Sequence, residues 1–377
     1  MSAVSLLPIF VVVITALASI HLLDKLWPLP QMAQRVTTID GLRGYLALAV
    51  FLHHACIWHF FLHNGQWQAP PSRIYTHLGQ SSVSLFFMIT GYLFFNKILR
   101  APDRPVDWLQ LYVSRCLRIL PLFLTATALV LLFYALQKYQ WLPLVDAVRY
   151  GDTPLKLQIT AGVRWTLSYE WRFYFFLPLL ALLLLRKPPL AWVAVGVLYL
   201  SLSGWSKVID VHGLTFLGGM LAAWLSTHVL LRRFATTPAA SALAVGLLGV
   251  AVLGFDTAYA LLPACLLSGA FVLIANGTNL FGLLHLRSSN LLGHITFGVY
   301  LLHGIVLFAM FRLIVGYGWG AGLSPFQHWL VIFGLTPVLI SVAFIAFKRI
   351  EEPAMAKTLP WTLQLRQVRF SKKQSTH

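Results

Sequence analysis

The stretch IDGLRGYLALAVFLHH, residues 39–54, holds an arginine and two adjacent histidines inside one strongly apolar run. Helical residues step by about 100°, so the eleven steps from Arg43 to His54 return to within about 20° of the same face, about 16 Å along the axis. The two side chains then share a stripe. Ala47 and Val50 lie between them on it, while Gly41 and Gly44 thin the arginine end and let another helix or a ligand come close. His53 is turned about 100° away, toward a different neighbour. An ionisable group left uncompensated in hydrocarbon costs several kcal/mol, which makes such a pair a functional candidate. The plainer alternative pairs Arg43 with Asp40 and lipid headgroups, and makes His54 an interhelical hydrogen bonder.

Other polar residues in apolar runs sort into two tiers. One holds Arg43, Arg115 and Arg118 in VSRCLRILP, and Glu351 and Glu352 in KRIEEP. Arg115 and Arg118 are three apart, hence neighbours on one helix face, and suit a phosphate-rich ligand; helix-end anchoring is the competing explanation. The second tier is expected to gather His54, Glu170 in WTLSYEWRFYFFLP and His303 in FGVYLLHG from three separate spans. A histidine titrates near neutrality, and a nearby carboxylate can fix its tautomer and ready it to take a proton from a hydroxyl. Against this stand an ion pair of Glu170 with Arg172 and plain packing of His303.

These residues must be held by a membrane domain. The chain of 377 residues is 58% hydrophobic and only 10% charged, with mean hydropathy +0.76. Its apolar runs fall at 4–23, 43–62, 82–99, 116–137, 167–185, 190–206, 211–230, 238–254, 257–276, 293–315 and 328–348. The expected fold is all-α and polytopic, with about eleven transmembrane helices. The net charge of +17 does not call for nucleic acid, because the basic residues concentrate in alternate joints. This positive-inside bias puts the carboxyl terminus in the cytoplasm and the amino terminus outside, and the amino-terminal run reads as a retained span. Cys56, Cys116 and Cys265 show neither metal nor disulfide spacing and read as packing residues.

At this point the motifs resemble those of the membrane-bound acyltransferase family 3. The arginine, ten intervening residues and histidine of Arg43 and His54 match its signature; SLFFMITGYLFF, RCLRILP, WTLSYEWRFY, FGVYLLHG and RIEEP follow in the family's order. The resemblance runs from about Thr37 to Pro353. It implies a ten-helix acyltransferase domain at 37–353, one additional amino-terminal helix and joint at 1–36, and a cytoplasmic basic tail at 354–377. Trp171 and Arg172 depart from the acidic and amide residues common after the glutamate. A stand-alone form, without the family's occasional carboxyl-terminal esterase-like domain, is the expectation.

What the resemblance implies is transfer of an acyl group, most often acetyl, from cytoplasmic acyl-CoA to a hydroxyl of a cell-envelope or exported glycan at the inner membrane. Arg43, Arg115 and Arg118 would then bind the donor, with acetyl-CoA the only cofactor-like molecule and no metal. His54, Arg43 and Glu170 would be catalytic, and His303, Trp67, Arg73 and Tyr174 would bind substrate. Trp58, Tyr75, His59 and His63 add aromatic faces and hydrogen bonds to the expected acceptor joint, with an interfacial aromatic belt as the alternative. Expected partners are the lipid bilayer, the glycan and polysaccharide-assembly proteins. A proton-coupled transporter or exporter is the rival class, since intramembrane histidines and carboxylates also build proton relays; it predicts repeated halves, which the chain lacks. A catalytically dead scaffold would tolerate loss of His54.

Overall fold

The computed structural model describes residues 2–29, 36–101, 105–138, 154–184, 190–203 and 210–374. Arg35, Arg104, Arg149, Arg186, Lys187 and Lys207, and the end of the 190–206 run, lie outside them. Among the described residues the chain is helical and contains no strand. Only closed hydrogen-bonding patterns survive in lipid, and a run of apolar residues satisfies its backbone most simply as a helix.

Four long helices come first: α1 (Leu7–Leu26), α2 (Thr37–Asn64), α3 (Arg73–Leu99) and α4 (Trp108–Lys138). A short α5 (Pro154–Thr160) precedes α6 (Trp165–Leu184), α7 (Leu190–Ser203), α8 (Val211–Leu225) and α9 (Val229–Ala235). Then follow α10 (Pro238–Gly254), α11 (Leu261–Ala275), α12 (Arg287–His294) and α13 (Thr296–Phe308), which runs on through a widened turn to Ile314. The last are α14 (Tyr317–Ala321), α15 (Pro325–Ala346), α16 (Glu352–Ala356) and α17 (Thr358–Gln374).

Each of the eleven apolar runs lands on a helix, yet length divides them. Among the described residues, seven helices are long and apolar enough to cross a membrane, or eight if α8 and α9, bent by 107°, form one span. The helices α7, α10 and α11 are apolar but shorter, at 14, 17 and 15 residues. The protein is an all-α polytopic membrane protein, and helix length by itself identifies seven or eight of the eleven expected spans among the described residues. Hydropathy also missed α5 and α12, which are short, and the 354–377 tail, much of which is the helix α17 on α4.

Small residues set the closest helix approaches, the expected device where lipid removes the hydrophobic drive between helices. Gly41 and Gly44 of α2 lie against the backbone of Leu284 and against Leu292, and Gly293 of α12 against the Asp40 backbone. Gly91 of α3 meets the Phe216 backbone of α8, and Gly219 meets that of Met88. On α13, Gly304 bears on the Thr160–Ala161 backbone at the end of α5.

The added helix α1 packs on α15 and α12. Its Asp24, 3% exposed, accepts from Arg287 at 2.6 Å and from the Leu29 amide at 2.9 Å. Arg287→Ala leaves that carboxylate with one partner fewer. It is expected to lower stability by about 1–2 kcal/mol, read as a fall in the thermal midpoint of the detergent-solubilised protein.

Candidate functional site

The α2 stripe holds its two ionisable ends apart. At one end, Arg43 keeps 20% of its side chain exposed and lies 3.8 Å from Asp40. At the other, His54 meets His303 of α13, whose Nε2 is 3.1 Å from Nδ1 of His54. Ala47 and Val50, between them, are covered, Val50 by Ala161, Val163 and Tyr300. His53 turns to α3, where its Nδ1 meets the Tyr75 carbonyl at 2.7 Å.

Hydrogen-bond logic assigns the tautomers of the histidine pair. His303 Nδ1 is 3.2 Å from the Val299 carbonyl, which can only accept, so that nitrogen carries the hydrogen and Nε2 is an acceptor. His54 Nδ1 faces that acceptor and the Val50 carbonyl at 3.0 Å, so it too carries a hydrogen. The lone pair of neutral His54 is therefore on Nε2. His303 is fully buried, whereas His54 keeps accessible surface.

Around Arg43 a second cluster assembles, with Arg115 and Arg118 of α4 lining the same cavity. Together they line a cavity of about 80 Å³ with Thr90, Thr166, Glu170 and Tyr174. The Arg115 guanidinium lies 5.2 Å over the Phe94 ring, and Arg118 reaches the Met355 sulfur at 3.8 Å. Glu351 is fully buried within electrostatic reach of Arg118 and Arg43, and neither of its oxygens has a hydrogen bond. An adjoining cavity of about 410 Å³ shares Arg115 and adds Lys97 and Arg100. Five basic groups thus line two neighbouring cavities.

Glu170 and Tyr174 sit elsewhere than the sequence suggests. Glu170 accepts from Tyr174 at 3.1 Å and from Thr90 at 3.5 Å, and its charge faces Arg115, Arg43 and Arg118. It belongs with the arginines and not beside His54. The cause is local: the turn Ala161–Arg164, with positive φ at Ala161 and Gly162, carries the start of α6 to the level of Phe87, halfway along α3. Glu170 is thereby deeper than a count from the end of an apolar run implies. Tyr174, expected to bind acceptor, is the glutamate's partner.

The expected acceptor joint is largely packing. Trp58 and Tyr75 are fully buried, and Arg73 is engaged by Asp256 at 2.5 Å. Trp67 stacks edge-on against Trp58 and Phe61 and borders the patch of Val50, Ala161 and Tyr300. His59 and His63 pack ring to ring at 4.4 Å, next to His328. Trp171 and Arg172 point away from the arginine cavity: Trp171 stacks on Phe175, and Arg172 donates to the Ser203 carbonyl at 2.9 Å. Sequence reasoning missed the link between the tiers, Tyr300. Its hydroxyl bonds Thr166 at 2.9 Å and its ring lies 6.2 Å from His303, while its side chain also lines the arginine cavity.

Among the described residues no group of three or more His, Cys, Asp or Glu could hold a metal ion. Chemically, the arrangement sets a basic chamber against Tyr300, whose ring lies beside His303 of the histidine pair. Residues 36–348 match the model of a family described as an acyltransferase domain, which leaves α1 outside the match. Compared with curated proteins and with solved structures, the chain matches none.

Proposed function

The chain belongs to membrane acyltransferase family 3, and from that premise we propose that it moves an acyl group, most simply acetyl, from acyl-CoA to a hydroxyl of a cell-envelope or exported glycan. The observation that carries this reading is the arginine-lined cavity, which reaches Tyr300 beside the His54–His303 pair. A donor with phosphates at one end and a thioester at the other has the polarity of that chamber. Its phosphates would meet Lys97, Arg100 and Arg115, with Arg118 and Arg43 lining the way inward.

In the step itself, Nε2 of His54 takes the proton of the acceptor hydroxyl as its oxygen attacks the thioester carbonyl. The new C–O bond forms, the C–S bond breaks, and the proton passes from His54 to the departing thiolate. His303 holds the His54 ring through its Nε2. Glu170 and Glu351 temper the arginine charge, so that the chamber binds an anion without collapsing on itself. The positive-inside bias of the joints supports an inner-membrane orientation with the arginine end cytoplasmic.

Reconstitution in vesicles with labelled acetyl-CoA and a panel of envelope glycans tests the reading, which fails if no panel member receives label. Arg115→Gln combined with Arg118→Gln is expected to raise the donor KM about tenfold or more, with a smaller change in kcat. The effect should shrink as salt rises, because charge pairing is screened. An unchanged donor KM would remove these arginines from donor binding.

A further inference from the structure

A further cluster forms from segments far apart in the chain. Trp165 and Tyr169 come from α6, Asp210 and His212 from the start of α8, and Tyr259 from the joint between α10 and α11. The His212 ring is central: its centroid lies 4.3 Å from that of Tyr259, 5.1 Å from Trp165 and 5.6 Å from Tyr169. The Tyr169 hydroxyl donates to Asp210, whose other oxygen accepts the Gly213 amide at 2.8 Å and caps α8. Nδ1 of His212 lies 3.9 Å from the same carboxylate. Trp165, Asp210, His212 and Tyr259 all keep accessible surface, and Tyr169 is buried behind them.

Short helices recess this cluster. At 15 residues each, α8 and α11 rise about 22 Å, against about 40 Å for α2 and α3. The joint before α11 folds inward, where Oε1 of Gln80 accepts from the Thr257 hydroxyl at 2.8 Å and the Ala258 amide at 2.9 Å. Gln80 lies seven residues inside α3, about 10 Å below its first turn. The cluster is also next to the reaction centre. Trp165 precedes Thr166, which holds Tyr300, and Tyr300 touches His303.

Flat aromatic faces set around a carboxylate and an imidazole match one ligand class closely: a sugar ring stacks its C–H face and offers adjacent hydroxyls. We propose that Trp165, His212, Tyr259 and Asp210 seat one sugar unit of the acceptor, with its free hydroxyl turned toward Tyr300 and His54. The destination of that hydroxyl rests on the acyl-transfer reading; sugar binding by the cluster does not.

The test measures binding without turnover. The full chain in detergent is mixed with neutral oligosaccharides built from hexose, deoxyhexose and N-acetylhexosamine units, and saturation-transfer NMR reads their contact with protein. Tyr259→Ala and His212→Ala are expected to weaken binding about tenfold, and Tyr259→Phe to keep it within about threefold, since the ring does the stacking. Trp319→Ala removes an exposed aromatic of α14 outside the cluster and should change nothing. No contact with any panel member, equal loss in the Trp319 variant, or an unaltered Tyr259→Ala would each overturn the proposal. Binding lost in Tyr259→Ala, in a parent that transfers no acetyl label, would keep the sugar site and reject acyl transfer.

Discussion

His54→Ala is expected to lower kcat for acyl transfer by about 10²–10⁴-fold while leaving both KM values near those of the parent. The reason lies in the tautomers: Nδ1 of His54 faces the Val50 carbonyl and Nε2 of His303, which puts the hydrogen on Nδ1 and the lone pair on Nε2. His303→Ala should cost less, about tenfold, because His54 Nδ1 retains the Val50 carbonyl and the ring is loosened without losing its lone pair. His303→Asn, which keeps an acceptor toward His54, should recover part of that loss. Initial rates in vesicles at saturating acetyl-CoA and acceptor provide the comparison. Label transfer that stays undiminished in His54→Ala would remove it as the base, and equal losses in both variants would deny the division of roles.

The stripe geometry was legible because it depends only on helical periodicity. Eleven residues at one angle per step place Arg43 and His54 on one face, whatever surrounds them. The glycines at 41 and 44 likewise announced close packing, which α12 and its preceding turn supply. Glu170 was misplaced for the opposite reason. Its depth depends on how far the Ala161–Arg164 turn enters the protein, and a hydropathy profile reports only that an apolar run begins nearby. The aromatic cluster around His212 was invisible on similar grounds: Asp210, His212 and Tyr259 lie in or beside joints, carry no spacing pattern, and meet Trp165 through the packing of α6 and α8. Trp58 and Tyr75 misled in reverse. Aromatics near a span end suit an interface or a ligand equally well, and the fold uses both as core.

Gly304→Ala is the variant expected to separate positioning from chemistry, with kcat/KM falling about 10²-fold although no reacting group is altered. A methyl at this position would collide with the Thr160–Ala161 backbone, which cannot swing aside as a side chain would. Gly304 follows His303, and Ala161 packs on Val50, one turn before His54. Pushing α13 from the turn therefore changes the separation of the two histidines directly, and overpacking of this kind costs about 1–3 kcal/mol. Gly246→Ala on α10 is the control, since a methyl there meets nothing within 4 Å and should leave activity and melting unchanged. Donor binding in the Gly304 variant should stay near the parent's, because no residue of that contact lines the arginine cavity. A Gly304→Ala protein with full activity would mean that the spacing of His54 and His303 is not what sets the rate.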